Sequence, residues 1–510
     1  MPARVTFLLG RSGSGKTRRL HRCIKEALDK GRRVVVIVPE QFTFETERQL
    51  ASELGGLMDI EVYSFSSLAE KTLEGSYLGF LSRQGRRMAV RKTITEQGSK
   101  LRIFARVKDR PGFSERLCEL FTACKRYEVA PADLLDGAEK AGEDSLLANK
   151  LTELALLYGE TESYISGRYM DSEDMFAALI QNLPSSPIAG AEVVIDDFDL
   201  LTDQLYHLMA AMTKHAESMY ISLRMDPKEG RDAKLFAPKR RAYARLYGAA
   251  QENGCDIRVI QLPDGNPKRQ TDSALAHLEA EVFAYPYKIY GGEAPSLRIA
   301  AATSVSAECE MAAEAVLRCA QRGMRYRDMA VIATEPAYEL QLLRSMQRRG
   351  IPCFSDGARK LSAYGAPRLV LSALKCVNRG YNLNYIMDML RTGLTGIEGG
   401  DIDLFENYAL RCGIGGTGFK KPFDQEIPEK VRGFIISRID NFHTAFVNAP
   451  TARDKAAALF AFMESMGLYD SINGLVGRLR AEGRHQLAEE NAQVYRLMLT
   501  VLDQLHAIMG

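Results

Sequence analysis

The sequence has 510 residues, enough for roughly three domains at about 150 residues each. Apolar residues make up 46% and charged residues 26%, values typical of globular proteins, and no run of about 18 apolar residues predicts a membrane span. The nine cysteines include no CxxC pair, which argues against a disulfide framework or zinc ribbon and favours the cytoplasm. The first residues form a strand-like apolar run, and they do not show the pattern of a signal peptide.

The net charge of +2 conceals an uneven distribution along the chain. Residues 71–127 contain 14 Lys and Arg against 5 Asp and Glu, whereas residues 128–203 contain 3 against 17. A basic block of this density could hold a polyanion. The alternative is two oppositely charged helical layers that face solvent, and charge alone does not decide between them.

Residues 1–66 alternate between strand and helix patterns, which predicts a parallel α/β sheet. From 67 to 183 the apolar residues recur at helical spacing, and strand patterns then return, so a helical insertion interrupts the sheet. The predicted strands are 4–9, 34–38, 60–65, 193–195, 218–223 and 257–260.

A second α/β unit is predicted after a linker rich in Pro, Gly and Tyr at 285–295. It has candidate strands at 297–300 and 329–333 with a helix between them, and the pattern is mostly helical again from about 367. The sequence therefore predicts an α/β protein in which a sheet followed by a helical segment occurs twice.

The segment from Gly10 to Thr17 matches the phosphate-loop pattern G-x-x-x-x-G-K-[ST] between a strand and a helix. Its glycines allow backbone N–H groups to surround phosphate oxygens at a helix N-terminus. Lys16 would reach the β and γ phosphates of ATP, and the Thr17 hydroxyl would bind Mg²⁺. The candidate nucleotide-binding residues are Gly10, Ser12, Gly13, Ser14, Gly15, Lys16 and Thr17.

Two aspartates follow the apolar run 193–195, where the acid on the Mg²⁺ side is expected. Asp196 would hold the metal through water. Asp197 stands where helicase-type ATPases carry a glutamate that activates water, and its shorter side chain would misplace the base. The alternative is an acidic loop without a catalytic role.

The loops after the second and third strands lie at the carboxyl edge of the sheet, where α/β proteins bind ligands. Phenylalanines there could stack on bases, and hydroxyl or amide groups could bond phosphates or base edges. The candidate DNA-binding residues are Gln41, Phe42, Thr43, Ser64, Phe65 and Ser66. The alternative is that the aromatic residues are core, which we prefer for Phe44 and leave open for Phe65.

These segments resemble the AddB family, the B subunits of the bacterial ATP-dependent helicase–nuclease AddAB. The resemblance extends along the whole sequence, and its most specific part is the string from Pro39 to Phe44. The matching segments are 10–17, 38–44, 62–69, 125–127, 131–134, 326–331, 350–352, 406–409 and 413–414.

The resemblance implies a P-loop NTPase of the superfamily 1 helicase type, with two RecA-like units that each carry a helical insertion. The first unit would comprise residues 1–66 with 184–290, and its insertion 67–183. The second unit would begin at 296–370, followed by a truncated insertion at 371–510.

In function, the resemblance implies a heterodimer with an AddA-like helicase–nuclease subunit that processes double-strand breaks for homologous recombination. The AddB part would bind ATP, Mg²⁺ and DNA, both single strands and duplex ends, in the cytoplasm and without a membrane. It would grip the single strand and scan for a Chi-type signal rather than unwind DNA. Ser67 and Glu70 replace larger basic or aromatic residues of some relatives, which leaves the recognised signal open.

Several family features are missing from this sequence. The residues after Leu223 lack the glutamine of an active motor, and only Arg269 is a candidate γ-phosphate sensor. The family's nuclease site and iron–sulfur cluster are expected beyond Gly510, so none of the nine cysteines is assigned to a cluster. The expected ATPase activity is therefore weak or absent. The alternatives are an active ATP-driven translocase and a small-molecule kinase that uses the same phosphate loop.

Overall fold

The computed structural model describes residues 3–56, 59–74, 80–142, 145–196, 198, 201–226, 228, 230–262, 272–355 and 360–509. The chain separates into two compact units, Met1–Leu297 and Arg298–Gly510. Among the helices in these ranges, none combines the length and apolar character that crossing a membrane requires.

The first unit alternates strands with helices around a long helical insertion. Its elements in chain order are β1 (Arg4–Gly10), α1 (Lys16–Leu28), β2 (Val34–Ile37), α2 (Thr43–Leu54), β3 (Ile60–Tyr63), α3 (Phe65–Thr72), α4 (Arg83–Gln97), α5 (Pro111–Arg126), α6 (Pro131–Lys140), α7 (Leu146–Ile165), α8 (Asp174–Asn182), β4 (Glu192–Ile195), α9 (Asp203–Met212), β5 (Ser218–Arg224), α10 (Ala233–Glu252), β6 (Asp256–Gln261) and α11 (Ser273–Glu281).

All six strands form one parallel sheet in the order β3-β2-β4-β5-β1-β6. The six strands predicted for this sheet from the sequence are thereby confirmed. Strands β2 and β4 are buried along their whole length, because helices cover both faces of a parallel sheet. Two apolar clusters result, one on each face; Phe7, Val35 and Val193 belong to one, and Leu8, Val36 and Val194 to the other.

Helices α3 to α8 follow the third strand, which confirms the predicted helical character of the insertion. Helices α4, α5 and α7 share a core of their own around Phe121, whose ring stacks on Tyr158 at a centroid distance of 4.9 Å. Helix α8 returns the chain to the sheet, since Met175 and Leu179 belong to the apolar cluster of one sheet face.

A largely buried group of charges joins helices α4, α5 and α7 to the start of α8. Arg86 of α4 and Lys125 of α5 face three carboxylates, those of Glu162, Asp171 and Asp174. The Lys125 ammonium lies 2.6 Å from Glu162, 2.9 Å from Asp171 and 2.6 Å from Asp174. Arg86 also pairs with Asp171, and only 4% and 3% of these two side chains are exposed. We refer to these five residues as the buried charge cluster.

Helices are the regular secondary structure of the second unit's described residues. Its helices are α12 (Val305–Gln321), α13 (Pro336–Arg348), α14 (Gly365–Arg379), α15 (Leu383–Leu390), α16 (Gly399–Arg411), α17 (Glu426–Asn448), α18 (Ala452–Ser465), α19 (Leu468–Ala481) and α20 (His485–Met509). Helices α14 to α20 enclose one continuous core that includes Leu369, Phe405, Ile435 and Phe462.

The strands predicted at 297–300 and 329–333 are not formed, and no residue described between 298 and 509 belongs to a strand. Ile299 and Ile332 are 103% and 90% exposed, so these apolar runs pair with no neighbour in the described chain. An isolated strand is unstable because its backbone groups need a partner strand. The predicted second RecA-like unit and the predicted domain boundaries stay predictions.

Candidate nucleotide site and strand-facing edge

The predicted phosphate loop lies between the buried strand β1 and helix α1, which begins at Lys16. Gly13 and Gly15 have φ angles of 77° and 89°, in the left-handed region that favours glycine. A Cβ at Gly10 would lie 2.4 Å from Ser14 Oγ, so a larger residue at this position would force Ser14 to move. The exposed Ser12 completes the turn.

Two polar side chains point into this loop. The buried Lys16 ammonium donates hydrogen bonds to the carbonyl oxygens of Gly10 and Arg11 at 2.9 and 2.8 Å. The Ser14 hydroxyl is buried and has no hydrogen-bond partner among the described residues. A buried hydroxyl without a partner is unfavourable, and a phosphate oxygen in the loop would satisfy it. The loop residues therefore fit a bound phosphate.

The side chains proposed to hold Mg²⁺ meet at the carboxyl ends of β1 and β4. Thr17 donates a hydrogen bond from Oγ1 to Asp196 Oδ2 at 2.9 Å, although 179 positions separate them in the chain. The buried Asp196 also accepts a hydrogen bond on Oδ1 from Ser222. One hydroxyl and one carboxylate are ligands that Mg²⁺ accepts beside water and phosphate oxygens. The described residues contain no larger His, Cys, Asp or Glu group suited to a metal.

Sequence reasoning missed Ser222, which lies on β5 and orients the Asp196 carboxylate. Strand β5 lies between β1 and β4 in the sheet. Ser222 of β5 therefore lies beside Asp196, which directly follows β4. The strand order is set by tertiary packing, and no local signal marks Ser222. Two other predicted residues, Asp197 and Arg269, lie outside the described residues.

Arg11, whose role was also not predicted from the sequence, links the glycine-rich loop to three acidic residues. Its guanidinium lies 2.6 Å from Asp232, 3.3 Å from Asp226 and 3.0 Å from Glu279. Burial would lower the pKa of Arg11, but hydrogen bonds to Asp232 and Glu279 raise it above its usual value. Arg11 therefore remains charged and fixes the first turn of the loop to α11.

The loops after β2 and β3 lie side by side at the carboxyl edge of the sheet, the edge at which the sequence analysis placed them. The strands pair in parallel, and the backbone N–H of Val38 donates to the carbonyl of Tyr63 at 2.9 Å. Gln41 and Ser66 are exposed. Phe42 is 40% exposed and Phe44 74%, so the interpretation of Phe44 as a core residue was wrong. We refer to Gln41, Phe42, Phe44 and Ser66 as the strand-facing edge, where the strand meant is the predicted DNA strand and not a β-strand.

The structure corrects two predicted DNA contacts at this edge, those of Phe65 and Ser64. Phe65 is only 4% exposed, and its ring lies 4.9 Å from that of Phe198, so it packs in the core and cannot stack on a base. Ser64 is buried and caps α3, with its Oγ accepting from the Ser67 N–H at 3.0 Å. The Thr43 hydroxyl donates to the Glu40 carbonyl at 2.9 Å and keeps its acceptor lone pairs, so its predicted DNA contact stays a prediction.

The nearest acid in the first turn of α2 is already neutralised by its neighbours. Glu45 accepts hydrogen bonds from Arg48 at 2.9 and 2.8 Å and from Gln49 at 2.8 Å. These bonds, mainly that from Arg48, lower the pKa of the Glu45 carboxyl. Arg48 therefore offsets the charge of Glu45 beside Phe44, while Glu40 and Glu47 add two further acids to this segment.

The fold and the site define an α/β protein with a parallel sheet and a glycine-rich loop that holds a buried lysine and whose threonine contacts a buried aspartate. A family model described as "ADDB, N-terminal" matches residues 7–279. The chain belongs to the AddB family.

Curated relatives that carry the name of the B subunit of an ATP-dependent helicase/deoxyribonuclease match along nearly the whole chain. The protein of Acetivibrio thermocellus is 32% identical over 542 aligned residues, which cover 99% of this chain and 47% of that protein. The proteins of Desulforudis audaxviator and Alkaliphilus metalliredigens are 32% and 29% identical, with the same coverage. The chain thus spans about half the length of the curated relatives it matches.

Proposed function

We propose that this chain is the ATP-binding and single-strand-binding part of an AddB-type subunit that acts in double-strand-break processing for recombination. The observation that carries the proposal is the contact between Thr17 and Asp196 beside Lys16, in a chain of this family. Its relatives are named as B subunits of an ATP-dependent helicase and deoxyribonuclease. We infer from that name a complex with an AddA-like subunit.

The nucleotide site would act through charge and orientation. When bound, Mg²⁺·ATP would supply a triphosphate whose charge the loop N–H groups and Lys16 neutralise. Lys16 would exchange its two carbonyl partners for phosphate oxygens, and Ser14 would gain its missing acceptor. Thr17 and Asp196 would hold the metal, with Ser222 fixing the carboxylate.

The strand-facing edge would hold single-stranded DNA. The exposed rings of Phe42 and Phe44 provide stacking surfaces. Gln41 and Ser66 provide hydrogen-bonding groups that follow the neighbouring β-strands β2 and β3. Stacking tolerates any base, which suits a subunit that grips and scans a moving strand for a Chi-type signal. A salt-dependent titration with a labelled oligonucleotide tests this role; absence of binding at low salt contradicts it.

An ATPase assay distinguishes a gripping scaffold from an active translocase. We expect ATP binding with little turnover in the presence of single-stranded DNA. Robust DNA-stimulated turnover that is lost in Lys16→Ala would instead establish the translocase.

Replacing Phe44 with alanine is expected to weaken single-strand binding without loss of stability, because most of the ring faces solvent. Loss of one base-stacking contact is worth about 1–3 kcal/mol, or roughly 5- to 150-fold in affinity. Fluorescence anisotropy with a single-stranded oligonucleotide measures the change.

Phe65→Ala is the matched control, since both phenylalanines follow neighbouring strands. We expect it to lower the free energy of unfolding by about 3–5 kcal/mol, as for other buried phenylalanines. Unchanged affinity in Phe44→Ala would contradict the assignment of Phe44, and weaker binding by a Phe65→Ala variant that keeps its stability would restore a DNA contact for Phe65.

A further inference from the structure

A groove in the helical insertion has no role in the nucleotide site or at the strand-facing edge. Its volume is about 570 Å³, and its walls come from the loop before α5, from α5 itself and from α7. The apolar side chains that line it include Phe104, Val107, Phe113, Leu120 and Leu154. Leu120 is 39% exposed, so the groove opens to solvent.

The groove is held in shape by a buried carboxylate. Glu153 of α7 accepts hydrogen bonds from the backbone N–H groups of Arg102, Ile103 and Phe104 at 2.6, 2.7 and 3.0 Å. These bonds fix the loop that carries Phe104 and Val107. The rings of Phe104 and Phe113 pack against each other with centroids 5.1 Å apart. The groove is therefore preformed, which favours binding because little ordering is needed.

The charges around the groove are mostly positive. The three acids of residues 101–120 all face α4: Asp109 pairs with Arg91, Glu115 with Arg87 and Glu119 with Arg83.

In contrast, Arg110 and Arg116 line the groove, and Arg106 lies on the loop between Phe104 and Val107. All three are exposed, and the described residues show no ion pair for any of them. The uncompensated charge of this segment thus lies on the groove side.

The chemistry of the groove lining favours one kind of ligand over others. Nucleobases carry polar edges that would lose their hydrogen bonds against an almost wholly apolar wall. Small-molecule sites place a few polar groups inside the pocket to fix orientation, and here the polar groups stand at the rim. An amphipathic helix fits better, because its apolar residues at i, i+3, i+4 and i+7 fill a groove and its flanks meet the rim.

We propose that this groove is a docking site for an acidic amphipathic helix of a partner protein. Leu120 and Phe113 contact the apolar face of that helix, and Arg110 and Arg116 pair with carboxylates on its flanks. This surface lies in the insertion and is independent of nucleotide and of the strand-facing edge. Under this proposal, the basic block at residues 71–127 binds a protein partner rather than a nucleic acid.

The test uses a synthetic 20-residue helical peptide with leucines at i, i+3, i+4 and i+7 and glutamates on the flanks, labelled with fluorescein. A second peptide carries lysine in place of each glutamate. We expect the acidic peptide to bind this chain at least tenfold more tightly than the basic one. No binding of the acidic peptide, or equal affinity of the two, overturns the proposal.

Variants locate the binding. Leu120→Ser is expected to weaken the acidic peptide at least tenfold, whereas Leu135→Ser, on α6 outside the groove and 44% exposed, leaves it unchanged. Gly112→Leu should also block binding, because a Cβ there meets no atom within 4 Å and the added side chain can enter the groove. Unchanged affinity in both groove variants overturns the proposal.

A charge reversal and a competitor complete the test. The double variant Arg110→Glu with Arg116→Glu is expected to reverse the preference, so that the basic peptide binds more tightly. A (dT)20 oligonucleotide should not displace the acidic peptide. Displacement by that oligonucleotide would identify a nucleic-acid site and overturn the proposal, and thermal melting shows that each variant is folded.

Discussion

Replacing Lys16 with alanine is expected to reduce the affinity for Mg²⁺·ATP on the order of 100-fold. The ammonium is buried in the loop, and its removal leaves phosphate charge without its main counter-charge. Isothermal titration with a slowly hydrolysed ATP analogue measures the loss. The variant is also expected to lose the stabilisation that the nucleotide gives to the wild-type chain in thermal melting.

Lys25→Ala provides the control, because Lys25 lies on the same helix and is exposed. It should bind nucleotide as the wild-type chain does. If Lys16→Ala is folded and retains wild-type affinity, the loop does not hold the phosphates and the proposed nucleotide site is wrong.

Replacing Arg86 with methionine is expected to lower the free energy of unfolding by about 3–5 kcal/mol. The substitution leaves one cation, Lys125, against the three carboxylates of the buried charge cluster. Asp171 is only 3% exposed, so water cannot replace the lost partner. Urea unfolding followed by circular dichroism measures the change, with limited proteolysis to show whether the insertion opens first.

The neighbouring Arg87 supplies a matched control in sequence and chemistry. Its ion pair with Glu115 has an N–O distance of 3.6 Å, and its side chain is 41% exposed. Surface pairs of this kind contribute at most about 1 kcal/mol. Equal effects of Arg86→Met and Arg87→Met would show that the buried charge cluster does not join α4, α5 and α7 to α8.

Local sequence patterns were sufficient to predict the strands of the first unit and the glycine-rich loop between β1 and α1. Apolar runs, strand spacing and the glycine motif are properties of short segments, so they identified all six strands and the meeting of Thr17 with Asp196. The helical character of the insertion was predicted from the spacing of its apolar residues alone, because that periodicity is typical of helices.

Side-chain direction could not be predicted where an aromatic residue follows a strand. Phe44 and Phe65 occupy similar positions in sequence, yet one is 74% exposed and the other 4%. The difference arises because α3 turns Phe65 towards Phe198, a contact across more than a hundred residues. Ser222 and the partners of Arg11 were missed for the same reason, since they depend on strand order and on helices far along the chain.

The predicted strands of the second unit fail for a related reason. The residues around Ile299 and Ile332 have suitable composition, but composition does not supply a neighbouring strand. Strand formation is a property of a pair, whereas a helix satisfies its own backbone. Sequence reasoning therefore performed better for the helices of this unit than for its strands.

The pairing of β1 has a consequence for synthesis of the chain. Among the described residues this strand pairs with β5 and β6, so β1 leaves the ribosome roughly 200 residues before a partner exists, or about 10–40 s at ordinary elongation rates. During that interval β2 and β3 can pair and the insertion can fold, while an apolar strand stays uncovered. Closure of the sheet is therefore a late step, and the nascent chain is open to aggregation or chaperone binding until β5 emerges.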